Sequence, residues 1–275
     1  MIKDNMMPDF PLEGKYVAML APSFVVEFEY PSIVWQLKDL GFDKVVELTF
    51  GAKMINREYH KQLKNSKKLI IASPCPGVTE NIKAKFPQYL ENLAKIDSPV
   101  EATAKICRKI YPGYKTVFIS PCNYKKIEAE NSRKIDHVID YGQLRELLKK
   151  YNLKKKKKKT NFDSFYNNYT KIFPISGGLG KTAHLKGIIK EDEILVLEGV
   201  GPLFEFLKNP DPKIRFLDAL FCYGGCVGGP CVSSKLGINQ RKKKVLEYLD
   251  RAKKEDIPEL KKGTIERAKG IKFTH

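Results

Sequence analysis

The sequence lacks an apolar run of the roughly 20 residues that a helix needs to cross a bilayer. Its first residues, Met1–Pro8, also lack the apolar core of a secretory signal. These two absences predict a cytoplasmic protein without membrane insertion. Because thiols stay reduced in that compartment, the six cysteines of this 275-residue chain indicate metal or catalytic chemistry before disulfides.

Acidic residues are scarce, with 32 Asp and Glu against 50 Lys and Arg and a net charge of +18. That sign of charge suits phosphate groups. However, the sequence lacks a helix-turn-helix signature, a zinc finger and an aromatic-studded basic strand. The excess lies in Lys154–Lys159, in Arg241–Lys244 and in scattered lysines on helix faces, which is typical of solvated surface. Nucleic acid is therefore not the expected partner.

Three familiar site motifs are also missing. The run Gly177–Thr182 resembles a nucleotide-binding P-loop, but that motif needs a glycine where Ile175 stands. Structural zinc sites usually use two close cysteine pairs, whereas Cys75 and Cys122 are isolated. The C-terminal cysteines have three and then four intervening residues, not the three and two of radical S-adenosylmethionine enzymes.

What the sequence does contain is a glycine-rich loop with three thiols, Cys222, Cys226 and Cys231, after the apolar run 216–220. Glycines let the backbone approach a bulky group closely, and thiolates are the usual ligands of iron–sulfur clusters. Cys75 and Cys122 each follow a β-rich run in the same way. A mid-helix cysteine such as Cys107 is instead typical of a small buried hydrophobe.

The first third of the chain alternates strands and helices, which predicts a parallel α/β sheet. Binding sites in such folds form beyond the carboxyl ends of the strands, where Cys75 and Cys122 are expected. We therefore predict that strand ends from distant parts of the chain converge on one iron–sulfur cluster. A zinc- or thiol-stabilised interaction domain remains an alternative.

Eight short motifs occur in the same order as in one known family and cover nearly the whole chain. They are Ala21-Pro22-Ser23; Leu40-Gly41-Phe42-Asp43; Phe50-Gly51-Ala52; Cys75-Pro76-Gly77; Ser98-Pro99; Pro121-Cys122 with Lys125-Lys126 and Glu128-Ala129; Ser176-Gly177-Gly178; and Cys222-Tyr223-Gly224-Gly225-Cys226. By these motifs the chain resembles the C-terminal domain of the large subunit of [FeFe]-hydrogenases.

The resemblance implies an α/β, two-lobed hydrogenase-like domain with twisted, mostly parallel sheets flanked by helices and an iron–sulfur site between the lobes. The domain is expected at residues 15–252, with the lobes divided near 150–172. A tail of residues 1–14 precedes it, and a polar tail of residues 253–275 follows it.

The resemblance also implies a [4Fe–4S] cluster held by Cys75, Cys122, Cys222 and Cys226. In hydrogenases the last of these bridges to a two-iron subcluster, and Lys125 matches a lysine that contacts a cyanide there. Cys231 lies beyond the pattern and is a spare thiol or an alternative ligand.

Departures from the family pattern concern proton transfer, which requires titratable groups within hydrogen-bond reach. Catalytic members carry a cysteine where Pro74 stands. Their relay carboxylates align with Tyr59 and Gln62, and their relay serine with Ala94. The methionines that flank the two-iron site align with Ser120 and Leu220.

With these positions changed, the chain is most similar to the sensory or regulatory branch. We expect redox or hydrogen sensing or electron transfer, with little or no hydrogen turnover and no assigned catalytic residue. The [4Fe–4S] cluster is the expected cofactor, and a two-iron subcluster that Lys125 contacts stays open as a second one. A functional hydrogenase is the alternative.

No ferredoxin-like or PAS motif accompanies the predicted site, so we expect either that electrons come from another protein or that the chain is one part of a larger system. A ferredoxin-like or other redox or signalling protein with an acidic surface would be steered towards Arg241–Lys244.

Overall fold

The structure, a computed structural model, describes residues 6–154 and 160–275. Parts of the predicted N-terminal tail (1–5) and of the lysine run Lys154–Lys159 (155–159) lie outside the described residues. The strands are β1 Tyr16–Leu20, β2 Lys44–Glu47, β3 Ile70–Ile71, β4 Lys115–Ser120, β5 His137–Asp140, β6 Ile194–Glu198 and β7 Phe216–Leu220. The helices are α1 Ser32–Asp39, α2 Thr49–Asn65, α3 Pro76–Lys85, α4 Pro99–Ile110, α5 Tyr124–Asn131, α6 Tyr141–Lys150, α7 Gly178–Thr182, α8 Val200–Lys208 and α9 Ile238–Lys253.

The first sheet has the order β2-β1-β4-β5, and every pair of neighbours is parallel. All five residues of β1 are buried, as are the last five of β4. Continuous apolar runs of this kind are typical of parallel strands covered by helices on both faces. The predicted α/β class, with parallel strands flanked by helices, is confirmed.

The second sheet has the order β3-β7-β6 and is also parallel. Although β3 lies far before the predicted division of the lobes at 150–172, Ile70 and Ile71 pair with Phe216 and Leu217 of β7. The strands in the first third of the chain therefore belong to two different sheets. One consequence is that Cys75, just after β3, emerges next to the cysteine loop that follows β7.

Both sheets contribute to one core cluster, which contains Val17 of β1, Phe118 of β4 and Phe216 of β7. Residues after α9 pack back onto the domain, since Phe273 is buried and Asp97 donates its backbone N–H to the carbonyl of Phe273. Among the described helices, none combines the length and apolarity needed to span a membrane.

Helix α2 packs tightly against α4 because Gly51 has no side chain. A Cβ at this position would lie 2.6 Å from the carbonyl oxygen of Pro99 and 2.2 Å from Oγ1 of Thr103. The side chain of Ser98 caps α4 by accepting hydrogen bonds from the backbone N–H groups of Val100 and Glu101. This close crossing places the first turn of α2 beside the ends of β1 and β4.

Candidate metal centre

Cys75 ends the connection from β3 and is the residue before α3. Its carbonyl oxygen accepts hydrogen bonds from the N–H groups of Val78 and Thr79, at 3.0 and 3.1 Å. Pro76 occupies the first helical position, where its missing N–H costs nothing. The helix start therefore fixes the backbone of Cys75, and the side chain is partly buried.

Cys122 lies in the turn after β4. Ser120 Oγ accepts the N–H of Cys122 at 3.0 Å and donates to its carbonyl oxygen at 2.8 Å. The backbone N–H groups of Tyr124 and Lys125 donate towards the Cys122 sulfur. Donors aimed at a sulfur stabilise its thiolate form and tune any cluster that the thiolate binds.

Cys222 and Cys226 follow β7, in a loop that uses the left-handed conformation at Gly224 and Gly225, with φ of +82° and +71°. The N–H of Cys226 donates to the carbonyl of Pro174 at 2.9 Å. A Cβ on Gly225 would approach that same carbonyl oxygen to 2.7 Å. The glycine therefore lets the cysteine loop lie directly against the segment before α7.

The side chain of Phe221 connects the three cysteine turns. A Cβ on Gly77, two residues after Cys75, would lie 2.8 Å from Phe221. The ring of Tyr124, two residues after Cys122, packs edge-to-face on Phe221 with centroids 5.4 Å apart. Phe221 itself precedes Cys222, so one aromatic ring holds all three turns together.

The four thiols are electrostatic neighbours. Burial raises the pKa of the Cys226 thiol, and Cys75, Cys122 and Cys222 raise it further. Burial, followed by Cys122 and Cys75, raises the pKa of Cys222 to about 12. The pKa of Cys122 is raised by burial and then by Cys75. The fold thus makes the four predicted ligands electrostatic neighbours, and in the metal-free chain Cys122, Cys222 and Cys226 favour the protonated thiol.

The other two cysteines lie apart from this group. Cys107 is buried in the middle of α4, and burial raises its pKa well above the usual range. Cys231 Sγ donates to Oδ1 of Asn123 at 3.0 Å. Burial raises the pKa of Cys231 to about 12, with Asp140 and Cys122 as further causes. Cys231 therefore adjoins the group from the side of Cys122.

A cavity of about 80 Å³, with room for several water molecules, opens beside Cys75, Cys122 and Cys226. Among the described residues that line it, Lys125 is the charged one, and most of the others are apolar. Pro74 and Leu220, two of the positions that depart from the family pattern, lie on this wall. Ser120 instead holds the Cys122 backbone.

Lys125 is held at the cavity by two oxygen atoms. Its Nζ donates to the carbonyl of Pro74 at 3.1 Å and forms an ion pair with Glu128, which also accepts a hydrogen bond from Ser98. The sequence contains Glu128 and Ser98 within shared motifs but did not assign them this role. The three-residue spacing of Lys125 and Glu128 on α5 was the available signal.

The sequence and the structure were each compared with known proteins. The family model described as "Iron only hydrogenase large subunit, C-terminal domain" matches residues 14–230. The chain belongs to this family.

Two curated relatives illustrate the range of the family. Iron hydrogenase 1 of Clostridium pasteurianum is 26% identical, over 70% of this chain and 44% of the relative. The cytosolic Fe-S cluster assembly factor NAR1 of Encephalitozoon cuniculi is 23% identical, over 74% of this chain and 63% of the relative. The chain thus spans about half the length of these relatives.

Solved structures of [FeFe]-hydrogenases share the fold. HydA(deltaEFG), from a study of stepwise H-cluster assembly, superposes with a TM-score of 0.71 and 16% identity over 95% of this chain and 91% of that one. A variant of HydA1 from Chlamydomonas reinhardtii gives a TM-score of 0.68 and 17% identity over 93% and 87% of the two chains. The hydrogenase-like fold that the sequence predicted is confirmed.

Proposed function

We propose that this protein holds a [4Fe–4S] cluster on Cys75, Cys122, Cys222 and Cys226 and uses it for electron transfer or redox sensing, with little or no hydrogen turnover. The observation that carries the proposal is the convergence of four thiols from three separate turns beside a mostly apolar cavity. When bound, the cluster supplies one-electron chemistry. The chain's own part is to bind it, exclude water and aim backbone donors at the sulfurs.

The positions of the thiols along the chain favour a cluster over the zinc alternative, because Cys75 and Cys122 are isolated whereas structural zinc sites usually use two close pairs. A single zinc ion needs all its thiolates within about 2.3 Å of one point. Among residues 6–154 and 160–275, no three Cys, His, Asp or Glu side chains are close enough together to hold one metal ion.

The surroundings of Pro74 support the expectation of little turnover. Tyr59 is fully buried, and its hydroxyl accepts the N–H of Ser73 at 2.9 Å. Burial raises the pKa of Tyr59 well above its usual range. Ser73 Oγ in turn donates to the carbonyl of Ile96. This hydrogen-bonded chain ends at a backbone carbonyl, and Pro74 offers no proton carrier towards the cavity.

The family relationship is compatible with a role other than turnover. The relative from Encephalitozoon cuniculi carries the name of a cluster assembly factor, whereas the one from Clostridium pasteurianum is named as a hydrogenase. The family therefore includes proteins named for each kind of role. The residues that line the cavity, rather than the family relationship, distinguish hydrogen turnover from a role without turnover.

The second candidate is a functional hydrogenase, which the cavity beside Cys226 and Lys125 favours. A two-iron subcluster would be held there by the Cys226 sulfur, with Lys125 donating to its ligand. Co-expression with maturation proteins followed by infrared spectroscopy separates the candidates. Carbonyl and cyanide bands would establish the hydrogenase, whereas their absence beside an intact cubane would support the first proposal.

The electron partner is proposed to be a protein with an acidic surface that binds at Arg241–Lys244, whose four residues differ in their contacts. The guanidinium of Arg241 donates to the backbone carbonyls of Leu236, Val227 and Ser234. Lys242 pairs with Glu198 at 3.0 Å. Lys243 and Lys244 are exposed, so they are the members of Arg241–Lys244 to reverse.

Low-temperature EPR tests the cluster directly. Anaerobically reconstituted protein, reduced with dithionite, is expected to show a fast-relaxing cubane signal that Cys222→Ser alters. Colourless protein without labile sulfide would contradict the proposal and favour zinc or structural cysteines. In the reconstituted protein, Lys243→Glu with Lys244→Glu should slow reduction by an acidic ferredoxin, and unchanged rates would exclude that surface.

A further inference from the structure

One face of α2 carries a row of basic and polar side chains. Lys53, Asn56, Arg57, His60 and Lys61 follow the spacing i, i+3, i+4, i+7 and i+8, which places them on the same side of a helix. All five line an open pocket of about 510 Å³. This pocket is separate from the cavity at the cysteines and plays no part in the proposed function.

The opposite wall of the pocket comes from two segments distant in sequence, residues 167–170 and 182–184. Asn56 Nδ2 donates to Thr182 Oγ1 at 2.8 Å, and the His60 Nδ1–H donates to the carbonyl of His184 at 3.0 Å. The rings of Tyr169 and His184 stack with centroids 4.9 Å apart. These contacts fix the shape of the pocket in the absence of any ligand.

The charges in this pocket are not balanced. The described residues that line it include Lys53, Arg57 and Lys61 but no aspartate or glutamate. Lys61 pairs with Glu58 outside this lining, at 2.8 Å, so the unbalanced charges are those of Lys53 and Arg57. Within the described part of the chain, no hydrogen bond or ion pair is formed by Arg57, and Lys53 Nζ reaches only the carbonyl of Gly263, at 3.3 Å. Burial, and then the neighbouring Arg57, lower the pKa of Lys53. Unpaired cations in a concave site favour an anion.

Asn56 is the buried member of this row of side chains, and one of its polar atoms lacks a partner within the described chain. It is 4% exposed, and its Oδ1 has no hydrogen-bond partner in the described structure. Buried polar atoms without a partner are rare in folded proteins. Among the described residues, Asn56 therefore keeps an acceptor without a partner behind the pocket surface, beside its hydrogen bond to Thr182.

We propose that this pocket binds a small molecule that carries a phosphate group. The planar guanidinium of Arg57 suits two phosphate oxygens at once, and Lys53 and Lys61 act as point charges. The volume lies in the range of pockets for small organic ligands and exceeds what inorganic phosphate fills. The stacked pair of Tyr169 and His184 offers a flat surface to a ring on the same ligand.

Isothermal titration calorimetry of the full chain at about 0.15 M salt tests the proposal with two probes, inorganic pyrophosphate and ADP. We expect a dissociation constant below about 1 mM for at least one of them. Arg57→Ala and Lys53→Ala should each weaken binding about tenfold. Stronger binding of ADP than of pyrophosphate would show that a ring on the ligand contributes to binding. Equal binding of the two would show that the pocket recognises the phosphates alone.

The matched control is Lys64→Ala, which removes an exposed cation from the same helix outside the pocket. It should leave the affinity within about twofold. Absence of binding by the wild-type chain for both probes would overturn the proposal. An equal loss of affinity in Lys64→Ala and in Arg57→Ala would also overturn it, since the probes would then be attracted only by the net charge of the protein. Circular dichroism confirms folding of each variant, and Arg57→Lys keeps the charge if Arg57→Ala is unstable.

Discussion

The cavity at the cysteines and the basic pocket share two walls but have opposite chemistry. Ala52 of α2 faces the cavity, and the next residue, Lys53, faces the pocket. Likewise, Phe173 and Pro174 line the cavity, whereas Tyr169 and Thr170 line the pocket. The cavity is lined mostly by apolar side chains, with Lys125 as its charged residue, whereas the pocket gathers three cations and no carboxylate among its described lining residues.

Adjacent residues line these two different regions because a buried anchor fixes the segment between them. That anchor is Lys171, which lies between the two sets of lining residues. Its side chain and that of Glu47 are 1% and 2% exposed and form an ion pair. The hydroxyl of Tyr248 on α9 donates to Glu47 and accepts from Lys171, both at 2.9 Å.

The largest expected effect comes from breaking this anchor. Lys171→Met leaves the carboxylate of Glu47 buried without its cation, which should lower the free energy of unfolding by about 3–5 kcal/mol. Urea denaturation at neutral pH measures the change. If the shared anchor supports both regions, the variant also weakens both cluster retention and anion binding.

Two controls sharpen that prediction. Lys242→Met removes a partly exposed partner of Glu198 and should cost about 1 kcal/mol or less. Adding Glu47→Leu to Lys171→Met removes the stranded charge and should restore much of the loss. A loss of stability in Lys171→Met no larger than in Lys242→Met would refute the role of the anchor.

A second connection between the regions is Asp218 of β7, which accepts the N–H of Gly180 on α7 at 2.9 Å. Burial raises the pKa of this carboxyl to about 6 from 3.8. The folded state therefore favours the protonated carboxyl of Asp218. The stability that this group contributes is fully present below about pH 4 and is lost as the pH rises through 6. The loss at neutral pH is roughly 3 kcal/mol.

Asp218→Asn removes the ionisation while keeping an acceptor for Gly180. The difference in unfolding free energy between this variant and the wild type should grow between about pH 4 and pH 6 and then level off. Thermal or urea unfolding over that range measures it. A difference that does not change with pH would show that the pKa of Asp218 is the same in the folded and unfolded chain, which would contradict the raised value.

A substitution with a smaller expected effect on stability should change one region and leave the other unchanged. Gly225→Ala places a Cβ 2.7 Å from the Pro174 carbonyl oxygen at a φ of +71°, so we expect a loss of about 2 kcal/mol. It should reduce cluster retention without changing anion binding. Gly201→Ala, where a Cβ meets nothing within 4 Å, is the control and should change stability by less than about 1 kcal/mol. Equal effects on both sites would show that they are not independent.

The sequence predicted the positions of Cys75, Cys122, Cys222 and Cys226 because strand ends and glycine turns are local features. It could not show that β3 joins β7 rather than β1 and β2, since sheet partners depend on long-range packing. Spacing alone also left Cys231 open, because its contact with Asn123 joins residues far apart in the chain.

The basic pocket could not be predicted from the sequence for a different reason. The row from Lys53 to Lys61 is visible at helical spacing, but a row of cations on one helix is usually solvated surface. Its significance depends on the second wall, which His184 and Thr182 supply from more than a hundred residues away. The predicted ligand set and the domain boundaries remain predictions.

The most direct test of the central claim is the iron and labile sulfide content of anaerobically reconstituted protein, in the wild type, Cys226→Ser and Cys231→Ser. A [4Fe–4S] cluster on the four grouped thiols predicts about four iron and four sulfide per chain in the wild type. It also predicts retention in Cys231→Ser and a large loss in Cys226→Ser. Full retention in Cys226→Ser, or loss only in Cys231→Ser, would contradict the assignment.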